Sequence, residues 1–339
     1  MAHESKVTVI GSGKVARATA DNLRGIPKHL VLKSRDPKIE GFAMDQRDAM
    51  STERMPKRNH TLIRGTTEYQ ATEGSDIVII AAGLPRKPGQ KRNDPELIKA
   101  NKAMLAEIME GVLKYNPDPI LIIATNPLDV MTYYASYLAG FKKNRVIGLS
   151  GALDGSRFAG LISKKLGVPP HKITPLVLGE HGPSMVPATE LTFVNVCENG
   201  GDPELKSLDE LVRMGRLSHS DLMSMVDNTV NRGTHIVETL KDSASVAPGM
   251  ALARMAEEIL FDIKEQIGAS VLLTGEFGER GVCMGVPVML YNKGVYGVIN
   301  VHDSLNEATQ AALAKSADAI RADIAKLELP MHEGPQKLI

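Results

Sequence analysis

A glycine-rich stretch near the start of the sequence has residue types that bind the phosphates of a dinucleotide. Gly11 to Ala16 reads G-x-G-x-x-A, between the apolar run Val7–Ile10 and a helical stretch from Lys14 to Arg24 with Gly25 as its C-terminal cap. Glycines permit a tight turn, and a helix N-terminus offers N–H donors. A generic tight turn is the alternative, but the strand–helix context favours a nucleotide site. Its predicted cofactor contacts are Gly11, Ser12, Gly13, Lys14 and Val15.

The end of the second apolar run bears on the type of dinucleotide. NAD sites usually have Asp or Glu there to bind the ribose 2′-hydroxyl. This sequence has Lys33, followed by Ser34 and Arg35. These side chains can bind a 2′-phosphate, so NADP is favoured over NAD. The alternative is a solvated turn in which Asp36 still reaches the ribose.

Three polar segments and one basic segment contain groups suited to proton transfer and anion binding. Gly179-Glu180-His181-Gly182 follows an apolar run, and the segment Leu153–Phe158 lies 27 residues earlier. Thr125-Asn126-Pro127 ends a strand-like run, and residues 83–92 form a basic stretch. Imidazole titrates near neutral pH, which suits general acid–base catalysis. His181 is one of nine histidines, so by itself it is weak support for catalysis.

Short apolar runs alternate with helical stretches in the first half of the chain. Strands are predicted at residues 7–10, 30–32, 77–81, 120–124 and 146–149, with a helix at Ile98–Tyr115 that Asn116-Pro117 ends. This alternation predicts an α/β fold, a Rossmann-type doubly wound parallel sheet. An α+β catalytic domain follows, giving a dinucleotide-binding domain at 1–150, a substrate domain at 151–330 and a frayed tail at 331–339.

The second half is less regular. Residues 208–240 predict a long helix with a break near Gly233. Residues 286–301 predict a hairpin that turns at Asn292-Lys293-Gly294. Ser304 and Glu307 have the spacing of a capping box, so the last helix is expected to begin at Ser304.

Composition excludes several classes of protein. Forty basic and 40 acidic residues give zero net charge, which argues against a nucleic acid or an anionic membrane as partner. No apolar segment is long enough to span a bilayer. Cys197 and Cys283 are the two cysteines, too few for a disulfide framework and suited to a reducing compartment. With no apparent signal peptide, the prediction is a cytoplasmic protein.

Together these motifs resemble the lactate/malate dehydrogenase family, and within it the lactate-dehydrogenase-like malate dehydrogenases. The resemblance extends from the glycine loop to Gly281–Pro287, with several motifs in the same order and spacing. It implies that His181 transfers the proton, with Asp154 fixing its tautomer. It also implies that Arg157 binds the C1 carboxylate and Arg92 polarises the reacting carbonyl. The remaining implied contacts are Asn126 to the substrate oxygen and Ala82, Gly83, Asn101, Thr125 and Asn126 to the cofactor.

Substrate choice in this resemblance depends on Arg86 and Ala244. Arg86 lies six residues before Arg92. At the matching position the malate dehydrogenases of the family have an arginine, whereas lactate dehydrogenases typically have Gln. A second buried guanidinium requires a second carboxylate, such as C4 of oxaloacetate. Ala244 matches a small residue where lactate dehydrogenases usually have Thr. The resemblance therefore implies reversible (S)-malate/oxaloacetate conversion with NAD or NADP, without a metal.

The sequence departs from the family pattern at three places, and alternatives remain. The departures are Lys33 in place of an acid, Pro183 where Asp is common, and about two additional residues after Arg92. Other candidates are a lactate or other 2-hydroxy-acid dehydrogenase, a metal-dependent NAD glycosidase and a non-catalytic redox sensor that binds a dinucleotide. Family habit favours a homotetramer over a dimer.

Overall fold

The structure is a computed structural model that describes residues 4–52, 60–84, 90, 92–197 and 203–329. Arg86 and the predicted tail at 331–339 lie outside these ranges. The first half runs, in chain order, through β1 (Lys6–Ile10), α1 (Lys14–Leu23), β2 (His29–Lys33), α2 (Lys38–Thr52), β3 (Leu62–Thr66), β4 (Ile77–Ile80), α3 (Pro95–Tyr115), β5 (Ile120–Ile123), α4 (Leu128–Leu138), β6 (Val146–Gly148) and α5 (Ser150–Leu166).

The second half has shorter strands followed by long helices and a hairpin. In order these are β7 (Ile173–Thr174), β8 (Val177–Leu178), β9 (Val186–Pro187), β10 (Phe193–Cys197), β11 (Pro203–Ser207), α6 (Leu208–Arg213), α7 (His219–Leu240), α8 (Val246–Leu260), β12 (Gln266–Thr274), β13 (Arg280–Tyr291), β14 (Gly294–Val298) and α9 (Glu307–Ala325). No helix among the described residues has the length and apolarity needed to span a membrane.

A central sheet connects the two halves. Its strand order is β14-β13-β12-β6-β5-β4-β1-β2-β3, and the segment from β6 to β3 is parallel. The order reverses between β1 and β4, which is the position where doubly wound sheets bind nucleotides. The predicted Rossmann-type α/β class is confirmed. β12 extends the sheet in the antiparallel direction, where Ser270 lies opposite Gly148.

Helices cover both faces of the parallel strands, and the central strands β4 and β5 are apolar at every position. In β4, Ile77 and Ile79 join one buried cluster while Val78 and Ile80 join another. β5 alternates in the same way. Side chains alternate across a strand, so a continuous apolar run requires a packed layer on each face.

Two predictions about helices are wrong. α7 continues through Gly233, and the interruption between α6 and α7 lies instead near Gly215, which has a φ of +70°. Ser218 then caps α7 by accepting a hydrogen bond from the N–H of Asp221 at 3.1 Å. The last helix begins at Glu307, because the side chain of Asn306 caps it by accepting from Thr309 N–H at 2.8 Å.

The end of α3 and the hairpin agree with the sequence-based predictions, whereas the start of α3 and one strand do not. α3 begins at Pro95, three residues before the predicted start, because Asp94 accepts hydrogen bonds from the N–H groups of Glu96 and Leu97. The predicted hairpin is confirmed as β13 and β14, with Asn292 and Lys293 between them. β3 was not predicted, because its exposed Leu62 and Arg64 interrupt the apolar pattern.

Candidate active site

The glycine loop joins β1 to α1 and leaves the start of that helix open. Gly11 has a φ of +134°, and a Cβ there would lie 3.0 Å from the carbonyl carbon and oxygen of Ala81. Gly13 is the N-cap of α1 with no side-chain cap, and a Cβ there would meet nothing within 4 Å. The first N–H groups of α1 therefore adjoin open space, which suits a pyrophosphate.

Two cavities meet at this loop. One, of about 350 Å³, extends toward the second half of the chain and is lined by residues that include Lys14, Val15, Arg92, Arg157 and His181. The other, of about 280 Å³, lies beside the end of β2 and is lined by residues that include Gly11, Ser12, Lys33, Ser34 and Arg35. Gly13, Ala82 and Gly83 line both cavities. This pair of joined spaces fits the two halves of a dinucleotide on either side of its phosphates.

Two of the predicted cofactor residues brace the loops around these cavities. Asn101 is buried; its Nδ2 donates to the carbonyl of Asn126 at 2.7 Å and its Oδ1 accepts from Leu84 N–H at 2.8 Å. Thr125 Oγ1 donates to the carbonyl of Ala82 at 2.6 Å. The ends of β4 and β5 are therefore tied together where they border the larger cavity.

The basic residues at the end of β2 already have partners. Lys33 is 2 % exposed, and its Nζ lies 3.5 Å from the centroid of the Tyr69 ring. Burial and the neighbouring Arg35 guanidinium hold the pKa of Lys33 below its usual value. Arg35 forms an exposed ion pair with Glu107 of α3 at 2.5 Å. Ser34 Oγ accepts from the N–H of Asp36.

His181 and Asp154 form a buried pair. Nδ1 of His181 lies 2.6 Å from Oδ2 of Asp154, and both side chains are nearly inaccessible. Asp154 lies on α5 one turn before Arg157, whose Nη1 donates to its other oxygen at 3.2 Å. A carboxylate on Nδ1 leaves Nε2 as the nitrogen available for proton exchange.

Two arginines add positive charge next to this pair. Burial lowers the pKa of Arg157, and Arg92 and Arg232 lower it further while Asp154 opposes them. Arg92 donates to the backbone carbonyl of His181 and lines the larger cavity together with Arg157. Grouped, partly buried cations favour an anionic ligand because desolvation and mutual repulsion destabilise them alone.

The remaining predicted substrate residues that the structure describes also line the larger cavity. Asn126 follows β5, and Ala244 lies between α7 and α8. The structure therefore brings together His181, Asp154, Arg157, Arg92, Asn126 and Ala244 from five separate parts of the chain.

Three residues near the site were missed from the sequence. Asp129, on α4, accepts a hydrogen bond from His181 N–H, and burial raises its pKa to about 7. Asp242 pairs with Lys14, and Tyr69 lies under Lys33. An acid in the otherwise apolar start of α4 is a signal that could have identified Asp129. The other two contacts depend on tertiary packing.

The residues after His181 form a tight turn in which Pro183 is accommodated. Oε2 of Glu180 accepts hydrogen bonds from the N–H and the Oγ of Ser184, at 3.1 and 2.6 Å. The Glu180 N–H in turn donates to Ser316 of α9 at 2.8 Å. Glu180 and Ser184 thus close the turn across Pro183, which has no N–H to contribute.

Comparison with known proteins identifies the family to which both halves of the chain are similar. Residues 5–148 match the family model "lactate/malate dehydrogenase, NAD binding domain", and residues 151–329 match "lactate/malate dehydrogenase, alpha/beta C-terminal domain". Malate dehydrogenase of Flavobacterium johnsoniae is 37 % identical over 321 residues, covering 93 % of this chain and 96 % of the relative.

Two solved structures have the same architecture. Malate dehydrogenase from Salinibacter ruber superposes with a TM-score of 0.83 at 32 % identity, covering 95 % of this chain and 97 % of the other. A minor L-lactate dehydrogenase from Enterococcus mundtii gives 0.87 at 30 % identity, covering 96 % and 99 %. The matches cover both halves of the chain and the residues that form the joined cavities. The chain belongs to the lactate/malate dehydrogenase family.

Proposed function

We propose that this protein is a malate dehydrogenase that interconverts (S)-malate and oxaloacetate. The observation that carries the proposal is the buried His181–Asp154 pair beside Arg157 and Arg92, in a cavity that begins at the glycine loop. A base, an orienting carboxylate and cations for an anionic substrate are the groups that oxidation of a 2-hydroxy acid requires.

His181 moves the proton in this proposal. In malate oxidation its Nε2 removes the hydroxyl proton, and in oxaloacetate reduction it returns that proton to the same oxygen. Asp154 holds the ring by Nδ1 and stabilises its protonated form. Held at the glycine loop, a nicotinamide cofactor would supply or accept the hydride at the carbon that carries this oxygen.

The arginines bind and polarise the substrate. Arg157 clamps the C1 carboxylate through its guanidinium, which is fixed by Asp154. Arg92 polarises the reacting carbonyl, and Asn126 donates to the same oxygen. Arg92 exchanges its bond with the His181 carbonyl for this contact when substrate binds.

Oxaloacetate is the proposed substrate because of Arg86 and Ala244. The segment from residue 85 to 89, which includes Arg86, lies outside the described residues, so its role rests on its position six residues before Arg92. Ala244 borders the larger cavity and leaves room for a second carboxylate. The likeness to a lactate dehydrogenase structure makes pyruvate the second candidate substrate.

NADP is the proposed cofactor, with NAD as the alternative. Lys33, Ser34 and Arg35 line the smaller cavity, which favours a ligand with a 2′-phosphate. The contacts of Lys33 with Tyr69 and of Arg35 with Glu107 oppose this, since both cations must exchange a partner. The match to an NAD binding domain keeps NAD as the alternative.

A domain boundary near residue 150, a homotetramer and a cytoplasmic location remain predictions. The two family-model matches support the boundary, because one ends at 148 and the other begins at 151. The tetramer rests on the resemblance, and the location rests on composition.

A four-way assay tests the proposed function. Oxaloacetate and pyruvate are each reduced with NADH and with NADPH, and initial rates give kcat/KM for every pair. Oxaloacetate with NADPH is expected to give the highest value. Equal values for the two keto acids would refute malate dehydrogenase, and a large preference for NADH would refute only the cofactor assignment.

A further inference from the structure

Asp129 contacts the backbone of His181, the proposed catalytic histidine, and none of the roles proposed above involves Asp129. It is in the first turn of α4 and is 3 % exposed. Oδ2 accepts a hydrogen bond from the backbone N–H of His181 at 2.7 Å, and Oδ1 accepts one from Ser270 Oγ at 2.7 Å. Both carboxylate oxygens are thus used, one on each side.

These two bonds connect His181 to the central sheet. Ser270 lies on β12, opposite Gly148 of β6, where the sheet passes from one half of the chain to the other. Asp129 therefore ties the His181 backbone to the strand pair that joins the two halves.

The other contacts of His181 make its backbone position important. Asp154 binds its ring, and Arg92 donates to its carbonyl oxygen. Substrate binding would exchange the contact from Arg92. Among the described residues, Asp129 is then the partner that still holds the backbone of His181 throughout turnover. A shift of the His181 backbone would displace its imidazole ring and misalign Nε2 with the substrate oxygen.

The electrostatic surroundings make the ionised form of Asp129 costly, so its two hydrogen bonds are important to the fold. Burial raises its pKa, and the acidic neighbours Glu180 and Asp154 raise it further, while the bonds from Ser270 and His181 lower it. A buried carboxylate beside two other acids destabilises the fold unless its hydrogen bonds offset the cost.

We propose that Asp129 is a positioning residue. It holds the backbone of His181 so that the imidazole ring, oriented by Asp154, is aligned with the substrate oxygen. It touches no reacting atom and acts through the His181 peptide. The inference rests on the proposed role of His181 in proton transfer.

Three variants separate the effects. Asp129→Ala removes both bonds. Asp129→Asn can keep both, because its amide oxygen accepts from His181 N–H while its NH₂ donates to Ser270 Oγ. Ser270→Ala keeps the carboxylate but removes one of its two anchors. Each variant is assayed for kcat with oxaloacetate and for the NADH dissociation constant by fluorescence.

Asp129→Ala is expected to lower kcat by about 100-fold while the NADH dissociation constant stays within about twofold, because only the proton-transfer geometry changes. Asp129→Asn is expected to restore kcat to within about fivefold of wild type, and Ser270→Ala to lower it about threefold to tenfold. A kcat of Asp129→Ala within about threefold of wild type would overturn the inference. An Asp129→Asn variant as impaired as Asp129→Ala would overturn it too.

A second readout does not depend on activity. Diethyl pyrocarbonate acylates accessible imidazoles, and peptide mass spectrometry reports the rate at His181, with His29 and His302 as internal controls since their side chains are 33 % and 31 % exposed. Release of the backbone should raise the rate at His181 alone by about threefold or more.

The two readouts distinguish the possible failures. Wild-type protein that reduces neither keto acid would refute the proposed function, while the acylation rate would still test the positioning of His181. If Asp129→Ala does not fold, Ser270→Ala decides: an unchanged kcat together with an unchanged acylation rate at His181 would overturn the inference.

Discussion

Lys14, at the start of the helix after the glycine loop, forms an ion pair with Asp242, which lies between α7 and α8. Both residues line the larger cavity, so the pair connects its cofactor side to the side that carries Ala244. The Lys14 hydrogen bond holds the pKa of Asp242 below its usual value. A pyrophosphate at the glycine loop would compete with Asp242 for the Lys14 ammonium.

We therefore expect Lys14→Met and Asp242→Asn to have different effects. Lys14→Met should raise the NADH dissociation constant about threefold to tenfold, since it removes a cation next to the phosphates. Asp242→Asn should leave that constant unchanged or lower it. The Tm of both should stay within about 2 °C of wild type, because the pair is exposed. Equal weakening by both variants would contradict the competition and indicate a purely structural pair.

Asp154→Asn tests the orientation of the histidine ring. The amide keeps the shape of the side chain but cannot stabilise a protonated imidazole, and it favours the wrong tautomer. We expect kcat for oxaloacetate reduction to fall about 1,000-fold, with the NADH dissociation constant within about twofold of wild type. Steady-state kinetics and fluorescence titration measure the two quantities. A fall of less than about tenfold would remove Asp154 from the proposed mechanism.

Asp129 should make the fold less stable as pH rises. Burial raises its pKa from 3.8 to about 7, so the folded protein holds a proton that the unfolded chain releases between these values. The unfolding free energy should therefore decrease between pH 4 and pH 7, by at most about 4 kcal/mol from this group. Urea unfolding of wild type and Asp129→Asn at equal concentration measures the difference, which should grow in favour of the variant as pH rises.

Asp118→Asn is the matched control for that experiment. A hydrogen bond from Lys142 holds the pKa of Asp118 below its usual value, so its contribution is constant above pH 5 and lost only in acid. The difference between Asp118→Asn and wild type should be flat from pH 5 to 8. A flat curve for Asp129→Asn as well would mean that Asp129 stays ionised across this range.

The cofactor assignment can be tested at Lys33. Lys33→Asp should repel a 2′-phosphate and lower the ratio of kcat/KM with NADPH to that with NADH by about 10- to 100-fold. Glu107→Gln is the companion variant, because it removes the ion-pair partner of Arg35. It should raise kcat/KM with NADPH and leave kcat/KM with NADH unchanged. An unchanged ratio in Lys33→Asp would show that Lys33 does not select the cofactor.

The substrate assignment can be tested at Arg86 and Ala244. Arg86→Gln should lower kcat/KM for oxaloacetate by roughly 100-fold and leave the value for pyruvate nearly unchanged, because only oxaloacetate has a C4 carboxylate to lose a partner. Ala244→Thr should also act mainly on oxaloacetate, by reducing the space beside the cavity. Equal losses for both keto acids would place these residues outside substrate discrimination.

Local patterns were sufficient to predict the parallel sheet and the glycine loop. β4 and β5 are continuous apolar runs, which only a sheet covered on both faces accommodates. The same reasoning failed at Gly233, because glycine disfavours a helix locally while packing decides the outcome. There the helix passes Arg157, whose guanidinium would lie 3.6 Å from an added Cβ.

The candidate site was predictable where its motifs are compact and not where it depends on distant partners. Asp154 and Arg157 are one helical turn apart, so their proximity follows from the sequence. Tyr69 under Lys33 and Asp242 beside Lys14 are separated from their partners by long stretches of chain. The charge of Lys33 therefore does not by itself predict that its ammonium group lies over the Tyr69 ring.

The pairing of β12 with β6 limits how reactants can enter the site. Gly151 of α5 and Gly268 of β12 are packed so closely that a Cβ on either would lie under 3.0 Å from the other's backbone. α5, which carries Asp154 and Arg157, is thus fixed to the same sheet as the glycine loop. A clamshell opening of the two halves would break this contact and the sheet itself. Substrate and product must instead enter and leave through local rearrangements, while the central sheet and α5 stay in place.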